Sequence, residues 1–343
     1  MHYTGPVTPP TLGLEEEFFV LFEGRPSAAS LLDLAKLLWG DPGRNFPGTA
    51  SNFSRRLPDL MSSVEVSTQM HRNPATLVAE ALSRRAELAR AMPRGLIAPV
   101  GMLPLDHPYH TAGLHLHLGV EREHLARAYG NLARFLPVLI LASASSPWRG
   151  KTRYGQSYRL HASFALGPLR EDPLHRFQDL IVTRRLGTVE LRALDPVWDE
   201  ARLRAIVDAA WRLAALPRTL PFDRGAYNTL REVFPRSGLT GELRDLALEL
   251  HDLTGFDPRW AEDTEADRLA DLASRQDFEA VWRSLDGGVR DGVFSPSETL
   301  HARPAPWRGL AGLALYYAPK LPSIALKGWR EHHAAPPQKR ELG

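Results

Sequence analysis

At 343 residues, with 43% hydrophobic and 24% charged side chains, the chain is long enough to bury a large core as one big domain or two ordinary ones, and its composition is globular. A formal charge of +2 gives no basic field to recruit nucleic acid, and the absence of cysteine excludes disulfides, thiolate zinc sites and a cysteine nucleophile. The opening M-H-Y-T-G-P-V-T-P-P lacks the apolar core of a signal peptide, and the most apolar run, F-L-P-V-L-I-L-A at 135–142, is too short to span a bilayer, so the expectation is a cytoplasmic protein with no membrane partner.

In chain order, a first strand is predicted over 11–22 (T-L-G-L-E-E-E-F-F-V-L-F), followed by strands over 62–68 (S-S-V-E-V-S-T), 95–101 (G-L-I-A-P-V-G), 113–119 (G-L-H-L-H-L-G) and 187–194 (G-T-V-E-L-R-A-L). Each shows alternation, or a short apolar run between turn residues. Helical periodicity falls between and after them, over 73–92, 122–142, 199–216, 241–253 and 265–285. The clearest helix has Asn73 as N-cap, Pro74 at its first position, and Pro93 and Gly95 past its end. The polar tail 331–343 reads as flexible, and no repeat or linker interrupts the rest. The expectation is a single catalytic α+β domain over 1–330, with a helical C-terminal part from about 200.

Strand side chains point alternately to opposite faces. His115 and His117 therefore share one face and Leu114, Leu116 and Leu118 the other. By the same rule Glu190 and Arg192 lie opposite Val189, Leu191 and Ala193, Glu65 and Ser67 lie opposite Val64 and Val66, and Glu15 pairs with Glu17. Glu16 falls on the apolar side with Leu14 and Phe18, a conflict that a strand end or bulge would resolve. Taken alone, each polar face is also what solvated antiparallel sheet looks like, and two adjacent imidazoles can share a metal, contact a phosphate or simply be packed.

Convergence of Glu15, Glu17, Glu65 and Glu190 on one face would demand compensation. Two carboxylates about 5 Å apart repel by roughly 3 kcal/mol at an effective dielectric near 20. Several such pairs either raise pKa values or recruit cations, and an oxygen-rich set with an imidazole suits magnesium or manganese. Arg149, Lys151, Arg153, Arg159, Arg184, Arg185 and Arg192 lie near the strands in sequence. Arg192, two residues from Glu190, shares its face and is placed to meet a metal-bound anion. The stretch S-S-P-W-R-G-K-T at 145–152 ends like a phosphate-binding loop but has Ser145 where the first glycine belongs, and it follows a helix instead of a strand.

Five pieces in order resemble the carboxylate-amine ligase family, which includes the second type of glutamate–cysteine ligases. They are T-L-G-L-E-E-E-F (11–18), V-E-V-S-T (64–68), G-L-H-L-H-L-G (113–119), L-A-S-A-S-S-P-W-R-G (141–150) with Y-G-Q-S-Y-R (154–159), and G-T-V-E-L-R-A-L-D (187–195). The resemblance implies a glutamine-synthetase-like α+β fold, in which a curved, mainly antiparallel sheet flanked by helices forms a funnel for ATP, magnesium and a carboxylate. It implies Glu15, Glu17, Glu65, His115 and Glu190 as ligands of magnesium (or manganese). Arg192 would contact the transferring phosphate, Arg159 would hold the substrate carboxylate or a phosphate, and His117 would line the same floor. The implied reaction is ATP-dependent amide formation from an amino-acid carboxylate, such as the glutamate γ-carboxylate, and an amine, through an acyl phosphate. The implied partners are small-molecule carboxylate and amine substrates, with a homodimer as the commonest assembly.

Two departures stand out. Family members commonly have an aspartate seven residues before the position of Glu65; here it is Pro58, with Asp59 one place off. The connection from Gly101 to Gly113 is also shorter than expected. These motivate a degenerate nucleotide-binding or scaffold homologue as an alternative, beside a phosphotransferase with another acceptor and a zinc hydrolase built on the two histidines.

Overall fold

A computed structural model describes residues 9–40, 63–105, 111–163, 165–167, 178–183, 186–322 and 326. Strand β1 (Thr11–Phe22) is the spine. It turns back into the short β2 (Arg25–Pro26), and after helix α1 (Ser30–Gly40) it receives β3 (Val64–Ser67). Helix α2 (Pro74–Ala91) then leads to β4 (Leu96–Ala98) and β5 (Leu114–Gly119), which both also pair with β1. Helix α3 (Leu125–Ser143) and a small hairpin, β6 (Trp148–Arg149) with β7 (Thr152–Arg153), precede β8 (Leu180–Thr183) and β9 (Thr188–Leu194). The larger sheet has seven strands among the described residues, in the order β2-β1-β5-β9-β8 with β3 and β4 added on β1, and every pairing is antiparallel.

The expected α+β class is the observed one. Strand β1 coincides with its predicted span, and the other four predicted strands are found with trimmed ends. Helix α2 starts as its sequence dictates, with Asn73 accepting from the Ala75 N–H and proline inside the first turn.

The apolar sheet face packs on helices. Leu12, Leu14, Leu114, Leu116, Leu118, Val189 and Leu191 join one buried cluster with α2, α3, α4 (Glu200–Ala215) and α7 (Gly241–Thr254), the last preceded by α5 (Arg224–Arg231) and the short α6 (Phe234–Ser237). The second half of β1, from Phe18 to Phe22, enters another cluster with β3, β4 and the C-terminal helices. Among the described residues, 122–143 is long and apolar enough to cross a membrane, but 72% of its 18-residue apolar stretch is buried inside the protein, as in a core helix.

Two expectations are corrected. The helix predicted over 265–285, which follows the short α8 (Arg259–Glu262), is two helices, α9 (Glu265–Arg275) and α10 (Phe278–Asp291). Asp277 starts the second by accepting from the Ala280 N–H at 2.8 Å. Glu16 causes no bulge: β1 runs regularly through it, and its carboxylate is neutralised in place by Arg85 of α2. Arg85 donates through Nε and Nη2 at 2.8 and 2.5 Å and reaches the carbonyls of Val197 and Trp198 with its remaining donors. Both side chains are at most 2% exposed, so the pair pins α2 to the sheet and to the start of α4. Helix α11 (Pro306–Tyr317) and strand β8 have no counterpart among the predicted elements.

Pro58 and Asp59 lie outside the described residues, as do Arg184, Arg185, residues 106–110 and the tail 331–343. The short connection is closed at its base, where Met102 and Thr111 bridge and the Ala112 N–H donates to the Gly101 carbonyl at 3.0 Å.

Candidate active site

The polar face of the sheet carries the candidate chemistry, and register assembles it. Glu15 lies opposite His115 on β5 and Ser67 on β3, Glu17 lies opposite Glu65, and His117 lies opposite Glu190 on β9. Residues far apart in sequence become lateral neighbours because four strands, β3, β1, β5 and β9, present the same pleat. One ligand atom each from Glu15, His115 and Glu190 falls within a 4.8 Å cluster. His115 Nδ1 is 3.4 Å from Glu15 Oε2. His117 Nε2 sits 3.7 Å from Glu15 and 3.9 Å from Glu190, and neither of its ring nitrogens has a hydrogen-bond partner.

Glu65 and Glu17 flank that trio. Glu17 accepts the Gly113 N–H at 2.7 Å, and Ser67 reaches Glu65 at 3.5 Å. Glu190 is clasped by the Arg192 guanidinium and by Thr183 of β8, whose hydroxyl donates at 3.1 Å. Arg192 stands at a β-bulge: the register between β5 and β9 slips between Leu114 and Leu116, and the N–H groups of Arg192 and Ala193 both donate to the Asp179 carbonyl. Bulges re-aim side chains, and this one sits at the residue whose guanidinium clasps Glu190.

The electrostatics are uneven. Burial drives the Glu65 carboxyl up to about 9, reinforced by the negative charges of Glu15 and Glu17. Glu15 moves the other way, held well below the usual carboxylate range by the imidazoles of His115 and His117 against the effect of burial. For His117 burial works to lower the pKa, but Glu15 and Glu190 outweigh it and the imidazolium is favoured. Four carboxylates thus meet on this face, and Glu65 is held protonated at neutral pH.

Arg159 approaches from the 3-10 turn that follows the β6–β7 hairpin. Its Nη2 donates to the Arg192 carbonyl at 3.0 Å, while its buried Nε and Nη1 have no partner. Gly113 is what lets it in: a Cβ there would collide with Arg159 Nη2 and fall 2.9 Å from His115 Nε2. Among the other sequence candidates, Arg153 pairs with Asp267 of α9 at 2.6 Å, and Arg149 and Lys151 are exposed. The sequence reading assigned nothing to Thr183, Gly113 or Asp195. Asp195 ends the quoted motif at 187–195, so a signal for it was present.

Fold and site together define a class: an antiparallel sheet backed by helices, with carboxylates, an imidazole and arginines gathered on its open face. No family model matches the chain. Glutamate–cysteine ligases from two strains of Halobacterium salinarum are each 30% identical over 259 residues, covering 59% of this chain and 69% of the relative. On that relationship the chain belongs to the carboxylate-amine ligase family. Among solved structures it resembles a glutamate–cysteine ligase from Francisella tularensis in complex with AMP (TM-score 0.55, 12% identity, 92% of this chain and 94% of that one). It also resembles the ligase PafA in complex with the prokaryotic ubiquitin-like protein Pup (TM-score 0.51, 13% identity, 94% and 85%). A bifunctional glutathione synthetase from Pasteurella multocida matches at TM-score 0.51 and 12% identity over 82% of this chain, which spans little more than half of that protein, 56%. At these identities the likeness is one of fold.

Proposed function

We propose that residues 1–330 act as one ATP-dependent ligase, joining an amino-acid carboxylate to an amine through an acyl phosphate. The observation that carries this reading is the convergence of Glu15, His115 and Glu190 within 4.8 Å, beside a Glu65 whose pKa is pushed to about 9. That donor set, rich in oxygen with one imidazole, fits magnesium or manganese, and a divalent cation would relieve the crowding of carboxylates that helps keep Glu65 protonated. Glu15, His115 and Glu190 would hold it, with Glu65 and Glu17 completing or flanking the set. When bound, the cation acts as a Lewis acid on the transferring phosphoryl group.

The chain's own groups supply the remainder. Arg192 carries a positive charge beside Glu190, where charge accumulates on the transferring phosphate. Arg159 offers two donor nitrogens without partners, Nε and Nη1, to a substrate oxyanion. A carboxylate attacking phosphorus and an amine displacing phosphate need no protein nucleophile, in keeping with a chain that has no cysteine. Catalysis then rests on positioning and charge stabilisation. The names of the relatives put glutamate and cysteine first in the substrate panel.

The test is ADP release with magnesium and ATP across carboxylates, glutamate first, and a panel of amines, with Glu190→Gln as control. Release that needs both a carboxylate and an amine, and that Glu190→Gln abolishes, is expected. Undiminished activity in that variant would remove the site assignment.

A further inference from the structure

Asp195 follows β9, three residues after Arg192, and is fully buried. Its Oδ2 accepts from the Ser145 N–H at 2.9 Å, the Ser146 hydroxyl at 2.7 Å and the Ser157 hydroxyl at 3.4 Å. The Ser146 hydroxyl in turn accepts the backbone N–H of Arg159 at 3.3 Å, and the Ser146 carbonyl accepts that of Tyr158 at 2.8 Å. The Asp195 N–H donates to Ser143, and Gly101 packs so closely on the carboxylate that a Cβ there would collide with it. Four chain segments are thus knotted around one carboxylate. Arg159 is tied at both ends, its backbone through Ser146 to Asp195 and its Nη2 to the Arg192 carbonyl.

We propose that Asp195 is the positioning residue for Arg159, holding its guanidinium at the sheet face with donors free for a substrate oxyanion. This rests on the reading of Arg159 given above. The same protein supplies the comparison. A buried pair that serves stability closes on itself, as Arg85 does on Glu16 through two charge-assisted hydrogen bonds. Asp195 and Arg159 do not close: Oδ1 of the one and Nε and Nη1 of the other are buried without partners. Buried donors left unpaired are costly, and a ligand oxyanion satisfies them. Asp195 offsets the guanidinium's charge through space and fixes its backbone through Ser146, yet consumes none of its N–H groups. Burial raises the pKa of Asp195 and the positive charge of Arg159 opposes that rise.

The experiment follows the Arg159 Nε–H by 15N NMR in cation-free protein, its signal assigned by loss in Arg159→Lys. In the wild type this proton is expected to exchange slowly with solvent, and in Asp195→Asn about tenfold or more faster. Kinetically, Asp195→Asn is expected to raise KM about tenfold for the substrate held by Arg159, with kcat within about threefold and manganese binding unchanged. Whether KM rises for the carboxylate or for ATP tells which oxyanion Arg159 holds. In an Arg159→Lys background Asp195→Asn should add nothing further to KM. Ser146→Ala, which removes only the relay hydroxyl, should move the same readouts in the same direction if Asp195→Asn folds poorly.

Unchanged Arg159 exchange in both variants overturns the proposal, as does a general loss of melting temperature and manganese binding with that exchange intact. A wild type that releases no ADP with any substrate pair sinks the ligase reading, while the exchange measurement still decides the role of Asp195.

Discussion

Replacing Glu65 with glutamine should stabilise the cation-free protein at neutral pH while impairing cation binding. With a carboxyl near 9 in the folded protein against 4.5 ordinarily, folding at pH 7 binds a proton that the unfolded chain lacks. A raised pKa contributes stability that is fully present below about 4.5 and is lost as pH rises toward 9. Each pH unit in that window costs about 1.4 kcal/mol, so the 2.5 units from 4.5 to 7 remove roughly 3 kcal/mol. Glutamine keeps the shape and removes the titration, so Glu65→Gln should raise Tm by about 5 °C at pH 7 in EDTA, with a gain that grows toward pH 9 and vanishes near pH 4.5. Magnesium should reverse the order, raising the wild-type Tm by mass action and the variant's far less. Calorimetry of cation binding in buffers of different ionisation enthalpy should detect about one more proton released per cation at pH 7 from the wild type than from the variant, since any proton lost from His117 is common to both. A lower Tm for Glu65→Gln in EDTA at pH 7, or equal proton release from the two proteins on cation binding, would refute the argument that Glu65 is held protonated by burial and its neighbours.

Under the proposed reaction, Glu15→Gln and Glu190→Gln should each weaken manganese binding and lower ADP release by a factor of about 10³, the scale of loss for charged groups that stabilise a transferring phosphate. Arg85→Ala should cost about 3–5 kcal/mol in urea unfolding because it leaves Glu16 buried and unpaired, and Glu16→Leu with Arg85→Met should recover much of that loss. Gly113→Ala should lower activity by about 10²-fold with a much smaller change in stability, since its methyl displaces Arg159 and His115 without touching the leucine side of the sheet. If Gly113→Ala turns over normally, the approach of Arg159 to the floor is not needed for the reaction.

What was legible in the sequence follows period two. Leu114, Leu116 and Leu118 are fully buried and the intervening histidines are on the open face, as alternation requires. Illegible were the features that depend on partners distant in sequence. Glu16 looked like a defect because its answer, Arg85, is 69 residues away on a helix. The bulge at Arg192 depends on the Asp179 carbonyl, and β8 is a four-residue strand with no alternation to mark it. The division of 265–285 turns on a single capping residue, Asp277, inside a run whose apolar spacing continues on both sides. Arg153 shows the limit of charge counting, since its guanidinium is held by Asp267 and the Ala266 carbonyl.

The site depends on register more than on any single residue. A slip of β5 by one position against β1 would turn Leu114, Leu116 and Leu118 to the polar side and drive His115 and His117 into the helices. Exposing three fully buried leucines costs roughly 2 kcal/mol each, about 6 kcal/mol together, before the imidazoles are desolvated. That is comparable to the whole stability of many domains, which are worth about 5–15 kcal/mol. The leucine layer therefore holds the acidic face together against its own repulsion. Mutations on the leucine side that loosen packing without unfolding the chain should then weaken cation binding, although they touch no ligand.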